Sequence, residues 1–80
     1  MRLDKYLKVS RLIKRRTVAA EACDGGRVSV NGKVAKPSQD VKPGDIIELS
    51  FGQRAVRVEV LSIQESVRKD DAANMYKEII

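Results

Sequence analysis

The hydrophobic period of this chain changes once, at Gly25-Gly26, and that change restricts the folds it can adopt. Residues 2–24 carry apolar side chains at helical spacing, whereas residues 28–61 alternate apolar and polar positions as half-buried strands do. A chain of 80 residues makes one domain with a thin core. We therefore expect an α+β fold in which two N-terminal helices pack on a small antiparallel sheet.

The helical part divides into two short helices. The first is predicted over residues 2–9, with Leu3 and Leu7 four positions apart on the face toward the core. The second is predicted over residues 18–24, with Thr17 as its N-cap. The glycine pair that follows is expected to end this helix in left-handed conformations.

The alternating part contains three turn signals between predicted strands. Asn31-Gly32 suits the two-residue type I′ turn of a β-hairpin, because both central residues of that turn need positive φ. Pro43-Gly44 and Gly52-Gln53 mark two further turns. Strands are accordingly predicted over residues 46–51 and 54–61, in addition to the hairpin.

The last residues of the chain have a different pattern. Asp70-Asp71 can cap a short C-terminal helix, whose apolar residues are Ala72, Ala73, Met75, Tyr76, Ile79 and Ile80. This apolar face either docks on the domain or binds a partner, and docking is favoured because exposed apolar residues are a liability. We therefore divide the chain into a domain over residues 1–63 and a tail over residues 64–80.

Nearly all of the charge asymmetry lies in the first 16 residues, which carry a net charge of +6 against +5 for the whole chain. The basic residues there are Arg2, Lys5, Lys8, Arg11, Lys14, Arg15 and Arg16, and the one acid is Asp4. A basic patch at one end of a nearly neutral body is typical of a nucleic-acid footprint. Guanidinium groups bind phosphate through paired donors, so we predict that these residues bind a nucleic-acid backbone.

Structured RNA fits this patch better than DNA. A DNA-reading second helix would need base-contacting side chains, but residues 17–24 offer mainly alanines, a valine, a cysteine and two acids. Three aromatic residues are too few for a base-stacking platform. Near the hairpin turn, Arg27, Lys33 and Lys36 are candidates for a second edge of the same RNA-binding groove.

Composition argues against catalysis by this chain. There is no histidine and one cysteine, so Cys23 lacks the usual base partner of a catalytic thiol. Sites of the Cys/His type for metals are likewise excluded, and Cys23 is interpreted as a small packing residue. We expect no enzyme activity, cofactor, metal or disulfide. Without an apolar run long enough for a membrane span or signal peptide, the expected location is cytoplasmic.

Four sequence blocks occur in a fixed order: Arg2-Leu3-Asp4-Lys5-Tyr6-Leu7-Lys8, Arg15-Arg16-Thr17-x-Ala19, Gly26-Arg27-Val28-x-Val30-Asn31-Gly32 and Lys42-Pro43-Gly44-Asp45. Together they resemble the RNA-binding domain of ribosomal small-subunit protein four, the αL motif, over roughly residues 1–50. The resemblance implies an RNA-binding domain within residues 1–63. It places RNA-facing positions on Arg2, Lys5, Arg11, Lys14, Arg15 and Arg16, and implies that Asp4 orients Arg2 or an arginine of the inter-helix turn.

Within this family, residues 8–17 and 72–76 resemble a stand-alone factor of bacterial ribosome-associated quality control. That resemblance implies a monomer that binds the large ribosomal subunit carrying an obstructed peptidyl-tRNA and contacts both ribosomal RNA and tRNA. It also implies support for RqcH-dependent C-terminal alanine tailing of stalled chains. The alternatives are a recycling factor like the heat-shock protein of the large subunit, or a detached targeting domain of an RNA-modifying enzyme. The latter would need a catalytic domain, for which 80 residues leave no room.

Overall fold

A computed structural model describes residues 1–64 and 72–79. Its elements are α1 (Leu3–Val9), α2 (Arg16–Asp24), β1 (Val28–Val30), β2 (Lys33–Val34), β3 (Ile46–Phe51), β4 (Arg54–Val60), a short 3₁₀ helix (Ala73–Met75) and β5 (Tyr76–Ile79). The strands pair antiparallel in the order β2-β1-β3-β4-β5. The predicted α+β class, with two N-terminal helices and an antiparallel sheet, is confirmed.

The hairpin between β1 and β2 turns through Asn31-Gly32 as the sequence predicts. Asn31 and Gly32 have φ values of 53° and 86°, the pair of positive angles that a type I′ turn requires. Asn31 also fixes this turn to the start of β3. Its backbone N–H donates to the Ile46 carbonyl at 2.7 Å, its side-chain oxygen accepts from the Ile46 N–H at 2.9 Å, and its amide nitrogen donates to Asp45 at 3.1 Å.

The register of the sheet places apolar side chains on one face. Val30 is opposite Ile47, which is opposite Val58, and directly opposed residues lie on the same face. All three are buried in one core with Leu3 and Leu7 of α1, which are both fully buried. The predicted core face of the first helix is therefore confirmed.

α1 begins against the loop that follows β2. The Leu3 N–H donates to the Gln39 carbonyl at 2.8 Å, and the Asp4 N–H donates to the Pro37 carbonyl at 3.1 Å. These bonds satisfy two of the helix N–H groups that have no partner within the helix. The Val41 N–H donates to the Met1 carbonyl at 2.8 Å, so the loop is held along the start of α1.

α1 ends in a left-handed turn that is centred on Arg11. Arg11 has a φ of 63°, and its N–H donates to the Lys8 carbonyl at 3.1 Å. A second bond, from the Ile13 N–H to the Leu7 carbonyl at 3.1 Å, closes the turn. A residue in this conformation at the end of a helix redirects the chain. Only six residues, 10–15, therefore separate the end of α1 from the start of α2.

The predicted N-cap of the second helix is wrong by two residues. α2 starts at Arg16, and Arg15 occupies the N-cap position with extended φ and ψ of −123° and 136° and no side-chain cap bond. The reason is that the Arg15 carbonyl accepts the first helical bond, from the Ala19 N–H at 3.0 Å, which leaves Thr17 inside the helix. Of the two glycines that follow, only Gly26 is left-handed, with a φ of 74°.

The predicted C-terminal helix is largely wrong. After the 3₁₀ helix the chain continues as β5, in which Tyr76 pairs with Val60 and Glu78 pairs with Val58 of β4. Hydrogen bonds to β4 therefore replace the bonds within a helix. Ala72 and Met75 are buried, so the docking interpretation is confirmed for these residues, whereas the proposed Asp70-Asp71 cap lies outside the described residues.

Candidate nucleic-acid interface

Seven basic residues are carried by the N-cap of α1, α1 itself, the turn after it and the first residue of α2. We call this set the N-terminal cationic surface; its members are Arg2, Lys5, Lys8, Arg11, Lys14, Arg15 and Arg16. Lys5 is half-buried and the other six are exposed. Four of the seven fall within residues 11–16, so that positive charge is concentrated where the chain turns from one helix to the next.

Asp4 joins two arginines of this surface. Its carboxylate is 3.2 Å from Arg2 Nη2 and 3.5 Å from both Nε and Nη2 of Arg16. Asp4 Oδ1 also accepts a hydrogen bond from the Lys5 N–H at 2.7 Å. Asp4 is only 4% exposed, so a buried carboxylate on α1 lies between a guanidinium at its own N-terminus and one from α2.

The two ion pairs orient the guanidinium groups and also satisfy the buried carboxylate. The side chains of Arg2 and Arg16 are 55% and 47% exposed, whereas that of Asp4 is 6% exposed, and a buried charge without partners is costly. A guanidinium carries five N–H donors, so each arginine keeps donors directed away from Asp4. The carboxylate thus fixes the direction from which a phosphate can approach two adjacent guanidinium groups.

Arg11 lies at the sharpest point of the turn. A non-glycine residue in the left-handed region costs about 1–2 kcal/mol relative to a right-handed one, and glycine is the residue that commonly fills this position. Arg11 is exposed and takes part in no ion pair among the described residues. Its conformation holds a cationic side chain at the corner of the surface at a cost in backbone energy.

The three remaining candidates are separated by the structure. Arg27, Lys33 and Lys36 are all exposed. Lys36 lines a groove together with Arg2, whereas neither Arg27 nor Lys33 is among its lining residues. The structure therefore places Lys36 in one groove with Arg2 of the N-terminal cationic surface.

Cys23 lies in the interior, at the end of α2. It is 3% exposed, and burial, with smaller contributions from Asp4 and Asp24, raises the pKa of its thiol to about 11. A thiol with this pKa is neutral at physiological pH, and it is the thiolate that reacts. The interpretation of Cys23 as a packing residue is confirmed.

Tyr6 is the residue that holds the interface in place and that sequence reasoning did not single out. Its hydroxyl donates to the Met75 carbonyl at 2.8 Å in the core, and burial, assisted by Tyr76, raises the pKa of the Tyr6 phenol well above its usual range. The sequence did contain a signal for this role of Tyr6. A tyrosine on the core face of a helix needs a hydrogen-bond partner for its hydroxyl. This bond fixes α1, and with it the cationic surface, to the last described segment.

Residues 1–64 and 72–79 contain neither a cluster of metal ligands nor a helix that could span a membrane. No group of three or more cysteine or carboxylate side chains in this part of the chain could hold a metal ion. None of the helices described there has the length and apolar character needed to cross a membrane.

Comparison with known proteins agrees with this architecture. A family model described as S4 domain matches residues 1–47, the part of the chain that holds α1, α2 and the first hairpin. The trimeric structure of Vibrio cholerae heat shock protein 15 has a TM-score of 0.91 at 35% identity, and the match covers 99% of this chain and 81% of that one. Two helices bearing a cationic surface on an antiparallel sheet therefore define a protein of the S4 domain class.

Relatives of similar length narrow the class further. A Bacillus subtilis protein named RQC P-site tRNA stabilizing factor is 59% identical over 95% of this chain and 88% of its own length. A Streptococcus pneumoniae protein of the same name is 57% identical over 96% of this chain and 88% of its own. The chain belongs to the S4 domain family and, within it, to the group of RQC P-site tRNA stabilizing factors.

Proposed function

We propose that this protein is a non-catalytic RNA-binding factor that holds structured RNA by its phosphate backbone through the N-terminal cationic surface. The observation that carries the proposal is the pairing of Arg2 and Arg16 with the buried carboxylate of Asp4. This pairing presents two guanidinium groups in a fixed arrangement. Phosphate contacts position a protein on RNA without specifying sequence.

The biological setting of the proposal comes from the relatives. Proteins 57–59% identical to this chain over almost its whole length are named RQC P-site tRNA stabilizing factors. We propose that this chain likewise stabilises the peptidyl-tRNA of an obstructed large ribosomal subunit, contacts tRNA and ribosomal RNA together, and supports RqcH-dependent alanine tailing. The proposal includes a cytoplasmic monomer that needs no cofactor.

A cationic surface can touch two RNA molecules at once only if its charges face more than one direction. Lys8 projects from α1, whereas Arg11 and Lys14 lie on the turn beyond its C-terminal end. A surface that bends around a helix end can place one set of cations on tRNA and the other on ribosomal RNA. The compact domain, with a radius of gyration of 11.1 Å, fits between two RNA elements as a clamp.

Crosslinking in growing cells tests this proposal. The tagged protein is crosslinked to RNA and the bound RNA is sequenced, in parallel with the variant Arg15→Glu/Arg16→Glu. A matched control, Lys42→Glu/Arg54→Glu, makes the same charge change at two exposed positions. We expect crosslinks to tRNA and to large-subunit RNA, lost in the first variant and kept in the control. Crosslinks scattered over messenger RNA would contradict the proposal.

The similarity to heat shock protein 15 supports a second candidate, a recycling factor for large subunits. The two functions differ in one product of the cell, the alanine tail on stalled chains. Deletion of the protein should abolish these tails if it stabilises the peptidyl-tRNA during tailing. Intact tails after deletion, together with ribosomal RNA crosslinks that lack tRNA, would favour recycling.

A further inference from the structure

A groove lies beside the N-terminal cationic surface, between the start of α1, the end of α2 and the segment that follows β2. Its volume is about 630 Å³, which is within the range of small-molecule sites in proteins. Arg2 and Lys36 contribute cations to its lining, Val34 contributes apolar surface, and Asp24 and Ser38 contribute polar groups. Cys23 also borders the groove but is only 3% exposed. None of the positions in this set except Arg2 belongs to the cationic surface.

We propose that this groove holds a single nucleotide of the bound RNA, with its phosphate at Arg2 and Lys36 and its nucleoside against the apolar lining. The inference rests on the proposed function. It adds that one nucleotide of the RNA extends beyond the N-terminal cationic surface into the groove. It adds Lys36, Val34 and Asp24 to the interface, and it leaves Lys33 and Arg27 outside.

The charges of the groove match a nucleotide. Arg2 is shared by the groove and by the ion pair with Asp4, so an RNA backbone that follows the cationic surface reaches the groove without a break. Lys36 adds a positive charge that no ion pair among the described residues neutralises, and the one carboxylate of the lining is that of Asp24. A phosphate is therefore attracted to the cations, whereas Asp24 accepts hydrogen bonds from hydroxyl or amino groups of the nucleoside.

The apolar lining contains surface that the described residues leave uncovered. Val34 lies on an outer strand of the sheet, between Lys33 and Lys36 in sequence, and is 66% exposed. The Cys23 thiol in the lining is neutral at physiological pH and adds no repulsion for a phosphate. A nucleoside that packs against Val34 removes this apolar area from water.

The groove is built in advance of binding. Its wall after β2 is fixed to α1 by the hydrogen bond from the Asp4 N–H to the Pro37 carbonyl and by the next bond along, from the Leu3 N–H to the Gln39 carbonyl. The Ala35 N–H, which belongs to the same wall, donates to the Val28 carbonyl at 3.0 Å. A site whose walls are already ordered loses less conformational entropy when it is occupied.

Two lysine variants of the full chain test the groove. Lys36→Ala removes a cation from the lining, and Lys33→Ala removes a nearby cation that is also exposed but lies outside the groove. Binding of a tRNA transcript is measured by anisotropy over a range of salt concentrations. We expect Lys36→Ala to weaken binding about threefold to tenfold and to flatten the salt slope by about one unit. Lys33→Ala should change affinity by less than about twofold.

A spectroscopic readout separates contact from general electrostatics. Methyl signals of Val34 and Ala35 should shift when the tRNA transcript is added to labelled protein. Equal effects of the two lysine variants would overturn the proposal for the groove while RNA binding itself remained. Unchanged Val34 and Ala35 signals at saturation would overturn it too, and this second result is the one expected if the groove binds a protein partner. If the wild-type protein bound the transcript no better than Arg15→Glu/Arg16→Glu, the groove and the proposed function would both fail.

Discussion

Replacement of Tyr6 by phenylalanine isolates one hydrogen bond between α1 and the last described segment. The change deletes the hydroxyl that donates to the Met75 carbonyl at 2.8 Å and leaves the buried ring in place. That carbonyl also accepts from the Leu61 N–H at 2.8 Å and from the Ser62 N–H at 3.2 Å. The variant therefore loses a bond without leaving a buried acceptor unsatisfied.

The expected loss follows from this geometry. A neutral intramolecular hydrogen bond contributes about 0.5–1.5 kcal/mol net, and a larger penalty arises only when a buried partner is left without one. We expect Tyr6→Phe to lower the free energy of unfolding by about 1 kcal/mol, which corresponds to a decrease in Tm of about 4–8 °C for a domain of this size. Urea unfolding at pH 7, followed by circular dichroism, measures it. Tyr76→Phe is the matched control and should cost less than about 0.5 kcal/mol, because Tyr76 is half-buried and makes no hydroxyl bond among the described contacts.

The pH dependence of the difference in unfolding free energy between the wild type and Tyr6→Phe gives a second check. The pKa of the Tyr6 phenol is raised in the folded state, so the unfolded chain releases this proton first, near pH 10. The stabilising contribution is complete below pH 10 and is lost as the pH rises above it. The advantage of the wild type over Tyr6→Phe should therefore shrink from about pH 10 upward. A difference that stays constant to pH 11, or a loss at pH 7 above about 3 kcal/mol, would refute the reasoning.

Two substitutions and one alkylation experiment test the left-handed turn at Arg11, the burial of Cys23 and the contact between Asn31 and Asp45. Arg11→Gly should raise the free energy of unfolding by up to about 1 kcal/mol, since the left-handed φ of 63° no longer costs energy; tRNA affinity should fall in the same variant, and a gain in affinity would exclude Arg11 from the interface. Cys23, whose pKa is raised to about 11, should resist iodoacetamide at pH 8 in the folded protein and react in urea, as mass spectrometry would show; rapid alkylation when folded would disprove its burial. Asn31→Asp keeps a residue that tolerates positive φ but places a carboxylate beside Asp45 in place of a donor, which should lower the free energy of unfolding by about 2 kcal/mol. Unchanged chemical denaturation would show that this contact is not important.

Local rules predicted the sheet because its signals are local. The Asn31-Gly32 turn needs two positive φ values that these residues adopt readily, and the alternation at Val56, Val58 and Val60 specifies one buried face. Local rules wrongly predicted a helix over residues 76–79, because four residues are too few to distinguish a strand from a helical turn. The pairing of this segment with β4 is a tertiary contact between segments far apart in sequence, and tertiary pairing overrides local preference.

The candidate site also contains features that the sequence predicts and features that depend on tertiary contacts. That residues 2–16 place their cations at the surface follows from polarity alone. The contact between Asp4 and Arg16 spans two helices, so it depends on how α1 and α2 cross. The groove at Lys36 depends on the loop after β2 being held to α1 by backbone hydrogen bonds, and no side-chain pattern encodes such bonds.

The two outer strands of the described sheet determine whether it can grow by adding a strand from another molecule. β2 has only two residues, and β5 carries exposed Lys77 and Glu78. Short or charged outer strands are how natural sheets avoid strand-to-strand aggregation. A protein that binds RNA by charge is concentrated wherever RNA is dense, and there its copies meet often. Outer strands of this kind make strand-to-strand pairing between such crowded copies less favourable.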